Sequence, residues 1–141
     1  MEFQKKIEEI KSGKLSPIYI VQGKEEYLQN WARQVFLESV VAPEDQELNV
    51  ARFNMEEISV QTAIEDAESV PFFGDRRLVM IDKPYFLTGE KEKAKIDHQL
   101  ERLQFYLENP LDSSVVVFFA PYEKLDARKK IVKQLKKVAV L

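Results

Sequence analysis

Four short apolar runs punctuate the chain: Ile18–Val21, Leu78–Ile81, Val115–Phe119 and, at its end, Val138–Leu141. Each is continuous rather than alternating, the pattern of strands buried on both faces of a parallel sheet. A fifth segment, Leu48–Phe53, alternates and predicts an edge strand. Between the runs the period becomes helical. Leu28, Trp31, Ala32, Val35, Phe36 and Val40 share one helical face, which Pro43 ends. Val60, Ala63, Ile64 and Ala67 mark a second, with Ser59 at its N-cap. Ile96, Leu100, Leu103 and Leu107 mark a third, stopped by Asn109-Pro110. Ile131, Val132 and Leu135 carry a last, basic helix. A leading helix has Phe3, Ile7 and Ile10 on one side and Gly13 as its cap.

Strands alternating with helices predict a three-layer α/β fold around a parallel sheet. There is no internal repeat and no linker, so the 141 residues form one domain, long enough to bury roughly two-thirds of the unfolded surface. The last apolar run meets the C-terminus without a polar tail, which predicts the first domain of a longer protein. An apolar fraction of 45% excludes a disordered chain. With no cysteine there is no disulfide, thiolate zinc site or thiol nucleophile. No apolar stretch approaches the roughly 20 residues of a membrane span, and the N-terminus lacks the apolar core of a signal peptide. The expectation is a cytoplasmic domain with no membrane partner. Against 24 acidic residues stand 21 basic ones, a formal charge of -3. A stand-alone nucleic-acid binder carries a basic excess, so DNA contact here requires a local patch or partner chains.

In such folds the first strand-to-helix turn is where phosphates are cradled. The cradle needs Gly-x-x-x-x-Gly-Lys-[Ser/Thr], in which glycines let backbone N–H groups wrap the phosphates and lysine neutralises them. Aligned on Gly23, the chain supplies Leu28, Gln29 and Asn30 where Gly-Lys-Thr is required. Glu25 and Glu26 fall in the helix's first turn, satisfy the positive dipole end and repel a triphosphate. The loop has the phosphate loop's position without its chemistry. Nucleotide chemistry also needs an acidic pair after an apolar strand to hold Mg²⁺. Asp82 is followed by Lys83, and a lone Asp there reads as a turn residue rather than a metal ligand. The one histidine, His98, lies about 200° around a helix from Ile96, which predicts a solvated side chain. No triad, paired-carboxylate or metal-spaced motif is present: catalytic residues none, metal ligands none, cofactors none.

Two further features have two readings each. Val70-Pro71-Phe72-Phe73-Gly74-Asp75-Arg76-Arg77 sets adjacent phenylalanines between a helix and a strand. Adjacent side chains diverge, so one core rarely takes both, and an exposed aromatic pair rimmed by charge is an anchor for a partner's pocket. The alternative folds both rings under the sheet edge. The segment 128–137 carries six cations, Arg128, Lys129, Lys130, Lys133, Lys136 and Lys137, around an apolar face. It is either a solvated helix face or a phosphate or partner contact.

Four ordered blocks carry a resemblance that covers nearly the whole chain. They are Pro17-Ile18-Tyr19-Ile20-Val21-Gln22-Gly23-Lys24-Glu25-Glu26-Tyr27-Leu28, Ala51-Arg52-Phe53, Pro71-Phe72-Phe73-Gly74-Asp75-Arg76-Arg77-Leu78-Val79 and Lys124-Leu125-Asp126-Ala127-Arg128-Lys129-Lys130. Together they resemble the N-terminal domain of the delta subunit of bacterial DNA polymerase III, a clamp-loader component. The resemblance implies an AAA+-like domain over 1–141 with a degenerate phosphate loop at Gly23, Leu28, Gln29 and Asn30, and a helical lid and collar beyond it. It implies a non-catalytic subunit of a DNA-directed DNA polymerase (nucleotidyltransferase) complex that binds and opens the sliding clamp, the beta subunit, during replication. Phe72 and Phe73 would be the anchors, with Val70 and Pro71 around them. Further partners would be the gamma/tau and delta prime subunits, with DNA met through the full assembly. Arg128, Lys129, Lys130 and Lys133 are the possible DNA or partner contacts. The competing readings are a diverged P-loop ATPase and an α/β scaffold that binds DNA through the basic helix.

Overall fold

The strands form where the apolar runs are continuous. β1 (Ile18–Gln22), β3 (Arg77–Asp82) and β4 (Ser114–Ala120) are buried along their lengths except for Gln22, whereas β2 (Val50–Asn54) is half-exposed. The structure, a computed structural model, describes residues 2–69, 76–89 and 96–138. Among these, four parallel strands make a sheet in the order β1-β4-β3-β2. Ile18 pairs with Val116, Arg77 with Ser114 and Val50 with Leu78. The alternating segment is indeed at the edge.

Side chains alternate across the sheet and fill two cores. Ile18, Ile20, Val79, Ile81, Val116 and Phe118 face α4 (Val60–Ala67), α5 (Leu100–Glu108) and α6 (Lys130–Val138). Tyr19, Val21, Leu78, Met80, Val117 and Phe119 face α1 (Glu2–Lys11) and α2 (Glu26–Val40). Rings of Tyr19, Phe36 and Phe119 meet edge-to-face at 4.9 and 6.3 Å, giving this second layer its aromatic centre. The predicted three-layer α/β architecture is the observed one. Gly13 closes α1 at φ 91, with its N–H donating to the Ile10 carbonyl, a left-handed cap that suits glycine.

Several boundaries differ from expectation. Leu48 and Asn49 belong to a helical turn, α3 (Gln46–Asn49), which continues a 3₁₀ turn opened by Pro43, whose fixed φ favours that start. α5 begins at Leu100, leaving Ile96 and His98 in the approach to it. α6 begins at Lys130, so Arg128 and Lys129 precede the helix. Val138 is the last residue of α6 rather than the start of a strand, and residues 139–141 lie outside the described residues. On α2, Trp31 is 37% exposed, and Gln29 instead takes a place on the buried face.

Candidate functional site

The carboxyl ends of the parallel strands are where such folds bind ligands. β1 ends at Gln22 and α2 begins at Glu26, so only Gly23, Lys24 and Glu25 connect them. Gly23 takes φ 143, a left-handed value that favours glycine, and its N–H donates to the Ala120 carbonyl at 3.0 Å. A phosphate cradle requires free amides along a longer loop. Here the N–H groups of Leu28 and Gln29 both donate to the Glu25 carbonyl at 3.1 Å, already helical. Leu28 is half-buried on α2 and Asn30 is exposed. Gln29 turns inward: its Nε2 donates to the carbonyls of Val21 (2.9 Å) and Gly23 (3.1 Å), tying the turn from beneath. The side chain at the lysine position therefore serves the backbone of the turn.

Asp82 departs from its expected part. It is 8% exposed and closes β3 with both carboxylate oxygens engaged: Arg33 Nη2 donates to Oδ1 at 2.7 Å and Arg52 Nε to Oδ2 at 2.5 Å. It is the buried anion of an ion-pair triad joining α2, β2 and β3. Arg33 also lies over the Phe119 ring, 4.1 Å from its centre. The following residue, Lys83, has φ 51, a left-handed conformation costly for a side-chain-bearing residue. A cavity of about 490 Å³ opens here, lined by Lys24, Glu26, Gln29, Arg33, Arg52, Asp82 and Lys83 among others. Each of its cations meets an internal carboxylate, since Lys24 approaches Glu123 at 3.3 Å and Lys83 approaches Glu56 at 3.6 Å. Among the described residues, no three His, Cys, Asp or Glu side chains gather as a metal site.

His98 is likewise not the solvated side chain expected. It is half-buried, its ring against Tyr85 and Phe86 at 5.4 and 4.9 Å between centres. Nδ1 accepts the Val60 N–H at 3.0 Å, which leaves the proton on Nε2, facing the Met55 carbonyl and the Tyr85 hydroxyl, both at 2.9 Å. Ser59 occupies the N-cap position of α4, but its hydroxyl bonds Thr62 Oγ1 at 2.9 Å. His98 thus satisfies the first α4 amide from a distant part of the chain, which no helical period reveals.

The basic segment separates into two kinds of cation. Arg128 makes a bidentate pair with Asp126 at 3.1 Å, and Lys129 Nζ donates to the Phe86 carbonyl at 2.9 Å. The Arg128 side chain, then its backbone N–H, holds the Asp126 carboxyl below its ordinary range. Lys130, Lys133, Lys136 and Lys137 are exposed along α6, while Ile131, Val132 and Leu135 are buried. Val70, Pro71, Phe72 and Phe73 lie outside the described residues. Their flanking residues, Ser69 and Arg76, stand at the opposite end of the sheet from the cavity, the amino ends of the strands.

Residues 19–141 match the family described as DNA polymerase III, delta subunit. The chain belongs to the DNA polymerase III delta-subunit family. It is 46% identical over 132 residues to DNA polymerase III subunit delta of Bacillus subtilis, covering 94% of this chain and 38% of that relative. It therefore spans well under half the length of this delta relative. Among solved structures, the Bacillus subtilis DNA clamp loader delta protein superposes with a TM-score of 0.92 at 44% identity, over 99% of this chain and 41% of that one. A DNA polymerase III gamma-subunit-related protein from Thermotoga maritima superposes with a TM-score of 0.59 at 13% identity, over 99% and 44% of the two chains. At that identity the likeness is one of fold alone, an α/β domain with the same overall architecture.

Proposed function

We propose that this chain is the clamp-engaging, AAA+-like first domain of a clamp-loader delta subunit, that it acts without catalysis, and that it binds the sliding clamp through Phe72 and Phe73 with Val70 and Pro71 beside them. The observation that carries this reading is the match of nearly the entire chain to a protein named as a DNA clamp loader delta protein. The family matched by residues 19–141 supports it. The clamp is a closed ring, and a ligand opens it only by binding the open form more tightly than the closed one. An aromatic pair seated in an apolar pocket supplies that differential, with about 2–4 kcal/mol lost for each anchor removed.

Nucleotide has no part in this step. The three-residue turn leaves no run of free amides, Gln29 is occupied with carbonyls, and two arginines neutralise Asp82. ATP bound by gamma/tau subunits, together with delta prime, would time the presentation of the surface. DNA would be met through the assembly, with Lys130 and Lys133, exposed on α6, available to phosphate and the internally bonded Arg128 and Lys129 contributing less. No described helix is long and apolar enough to cross a membrane. A role in replication would put the work in the cytoplasm.

The test is binding to the sliding clamp of the same organism, wild type beside Phe72→Ala/Phe73→Ala, with and without ATP and Mg²⁺. Binding that is lost in the double variant and unchanged by ATP is the expected result. A clamp affinity that needs ATP, or that survives both substitutions, overturns the proposal.

A further inference from the structure

The helices over one face of the sheet carry charge unevenly. α5 lies between α4 and α6, and is tied to α6 where Gln134 Nε2 donates to the Gln104 carbonyl at 2.8 Å. Opposite its buried Leu103, Tyr106 and Leu107, α5 presents Glu101, Phe105 and Glu108 in one exposed stripe, with Phe105 63% exposed. Opposite its buried Ile131, Val132 and Leu135, α6 presents Lys130, Lys133 and Lys137 in another. Among the described residues, none of these two carboxylates and three ammonium groups joins an ion pair within the molecule.

The two stripes are complementary in one direction only. On α5 the steps are four and then three, from Glu101 to Phe105 to Glu108; on α6 they are three and then four, from Lys130 to Lys133 to Lys137. Laid antiparallel, Glu101 meets Lys137, Glu108 meets Lys130 and Phe105 meets Lys133, all along about 10.5 Å of helix. Laid parallel, Phe105 falls opposite Gln134 instead. Within one molecule the two helices run parallel. α5 returns from the carboxyl end of β3 to the amino end of β4, and α6 also starts at the carboxyl end, where Lys129 reaches the Phe86 carbonyl. α5 therefore cannot meet its own α6 in the matching sense, whereas a second copy can. The Gln104–Gln134 bond sets the midpoints of the stripes level. A two-fold axis perpendicular to the layer and passing between the helices then lays α5 of each copy antiparallel on α6 of the other, with all three pairs in register.

We propose that this face is a self-association surface, on which α5 and α6 dock reciprocally on a second copy of the chain. Glu101 pairs with the partner's Lys137 and Glu108 with the partner's Lys130. The Phe105 ring packs on the stem and ammonium of the partner's Lys133. The axis repeats each contact twice. Exposed ion pairs are individually weak, so the dimer is a transient one and loosens with salt. It also covers Lys130 and Lys133, so a polyanion drawn to these lysines competes with it. The inference is independent of the clamp-binding reading.

Sedimentation velocity over a concentration series, at low and at high salt, reads the association, and circular dichroism verifies the fold of each variant. Wild type should pass from monomer to dimer as concentration rises, and less readily at high salt. Phe105→Ala should weaken the dimer about tenfold. Glu101→Lys/Glu108→Lys and Lys130→Glu/Lys137→Glu each set like charges together, and each alone should stay monomeric. Mixed in equal amounts, these two variants should form a heterodimer, because every stripe then meets its complement. In a single chain, Glu101→Lys/Lys137→Glu should restore association and Glu101→Lys/Lys130→Glu should not, which tests the register. Wild type that stays monomeric throughout, association that survives either stripe reversal, or rescue by the mismatched swap overturns the inference. A monomer whose Lys130, Lys133 and Lys137 bind duplex DNA assigns the α6 stripe to phosphate instead.

Discussion

Replacing Asp82 with alanine tests whether the acid at the end of β3 is structural. The substitution strips Arg33 of the carboxylate that neutralises it in a site where Arg33 is 17% and Asp82 12% exposed at the side chain. Breaking a fully buried pair by removing one partner costs about 3–5 kcal/mol. Residual solvent and the Phe119 face beneath the guanidinium bring the Arg33 share to about 2–3 kcal/mol. The Arg52 side chain is 60% exposed, so its half adds no more than about 1 kcal/mol. The sum is about 3 kcal/mol, or about 10 °C in the melting temperature of a domain this size. Reversible urea or thermal unfolding followed by circular dichroism reads it. Removing Arg33 as well, as Asp82→Ala/Arg33→Met, should recover about 2 kcal/mol relative to additivity, because no unpaired cation is then left behind. A loss below about 1 kcal/mol in Asp82→Ala would refute the burial argument. Stabilisation of wild type by Mg²⁺ that vanishes in Asp82→Ala would show the acid to be a cation ligand instead.

Three further outcomes follow from the same geometry. His98→Ala leaves the Val60 N–H and the Met55 carbonyl without their imidazole, and should cost about 2 kcal/mol in urea unfolding; a neutral result would mean that water replaces the ring fully. Gln29→Lys restores the phosphate-loop lysine but not the loop's amides, so Mg²⁺·ATP should leave its melting temperature unmoved, and a rise of several degrees would contradict the reading of the turn. Burial pushes the Tyr106 hydroxyl above its ordinary value of 10.0, against the Leu111 N–H, which pulls the other way. Because the folded state disfavours tyrosinate, this contribution is intact below the unfolded value and is lost as pH rises through the folded one. Tyr106→Phe should therefore flatten the alkaline fall in stability, and an unchanged slope above pH 10 would assign that fall to other groups.

Much of the architecture was legible in the one-dimensional pattern. Continuous apolar runs at Leu78–Ile81 and Val115–Phe119 identify strands covered on both faces, and the alternation at Val50–Phe53 identifies an edge. The departure of the first turn from the phosphate-loop motif was visible at Leu28-Gln29-Asn30, because a missing lysine and an added Cβ are properties of residue type. Ordered motifs sufficed for the family as well. Residues whose meaning depends on a distant partner were not legible. Asp82 read as a turn residue because Arg33 and Arg52, 49 and 30 positions away, come to it only once α2 and β2 are packed. His98 read as solvated because helical spacing was assumed for a stretch that precedes the helix, while the amide it caps lies 38 positions earlier. Sequence alone determined the layers and the strand character, because these follow from local period and side-chain type. Only tertiary structure decided which charges are spent inside the molecule and which remain for partners, because pairing needs a few ångströms of proximity that the chain acquires on folding.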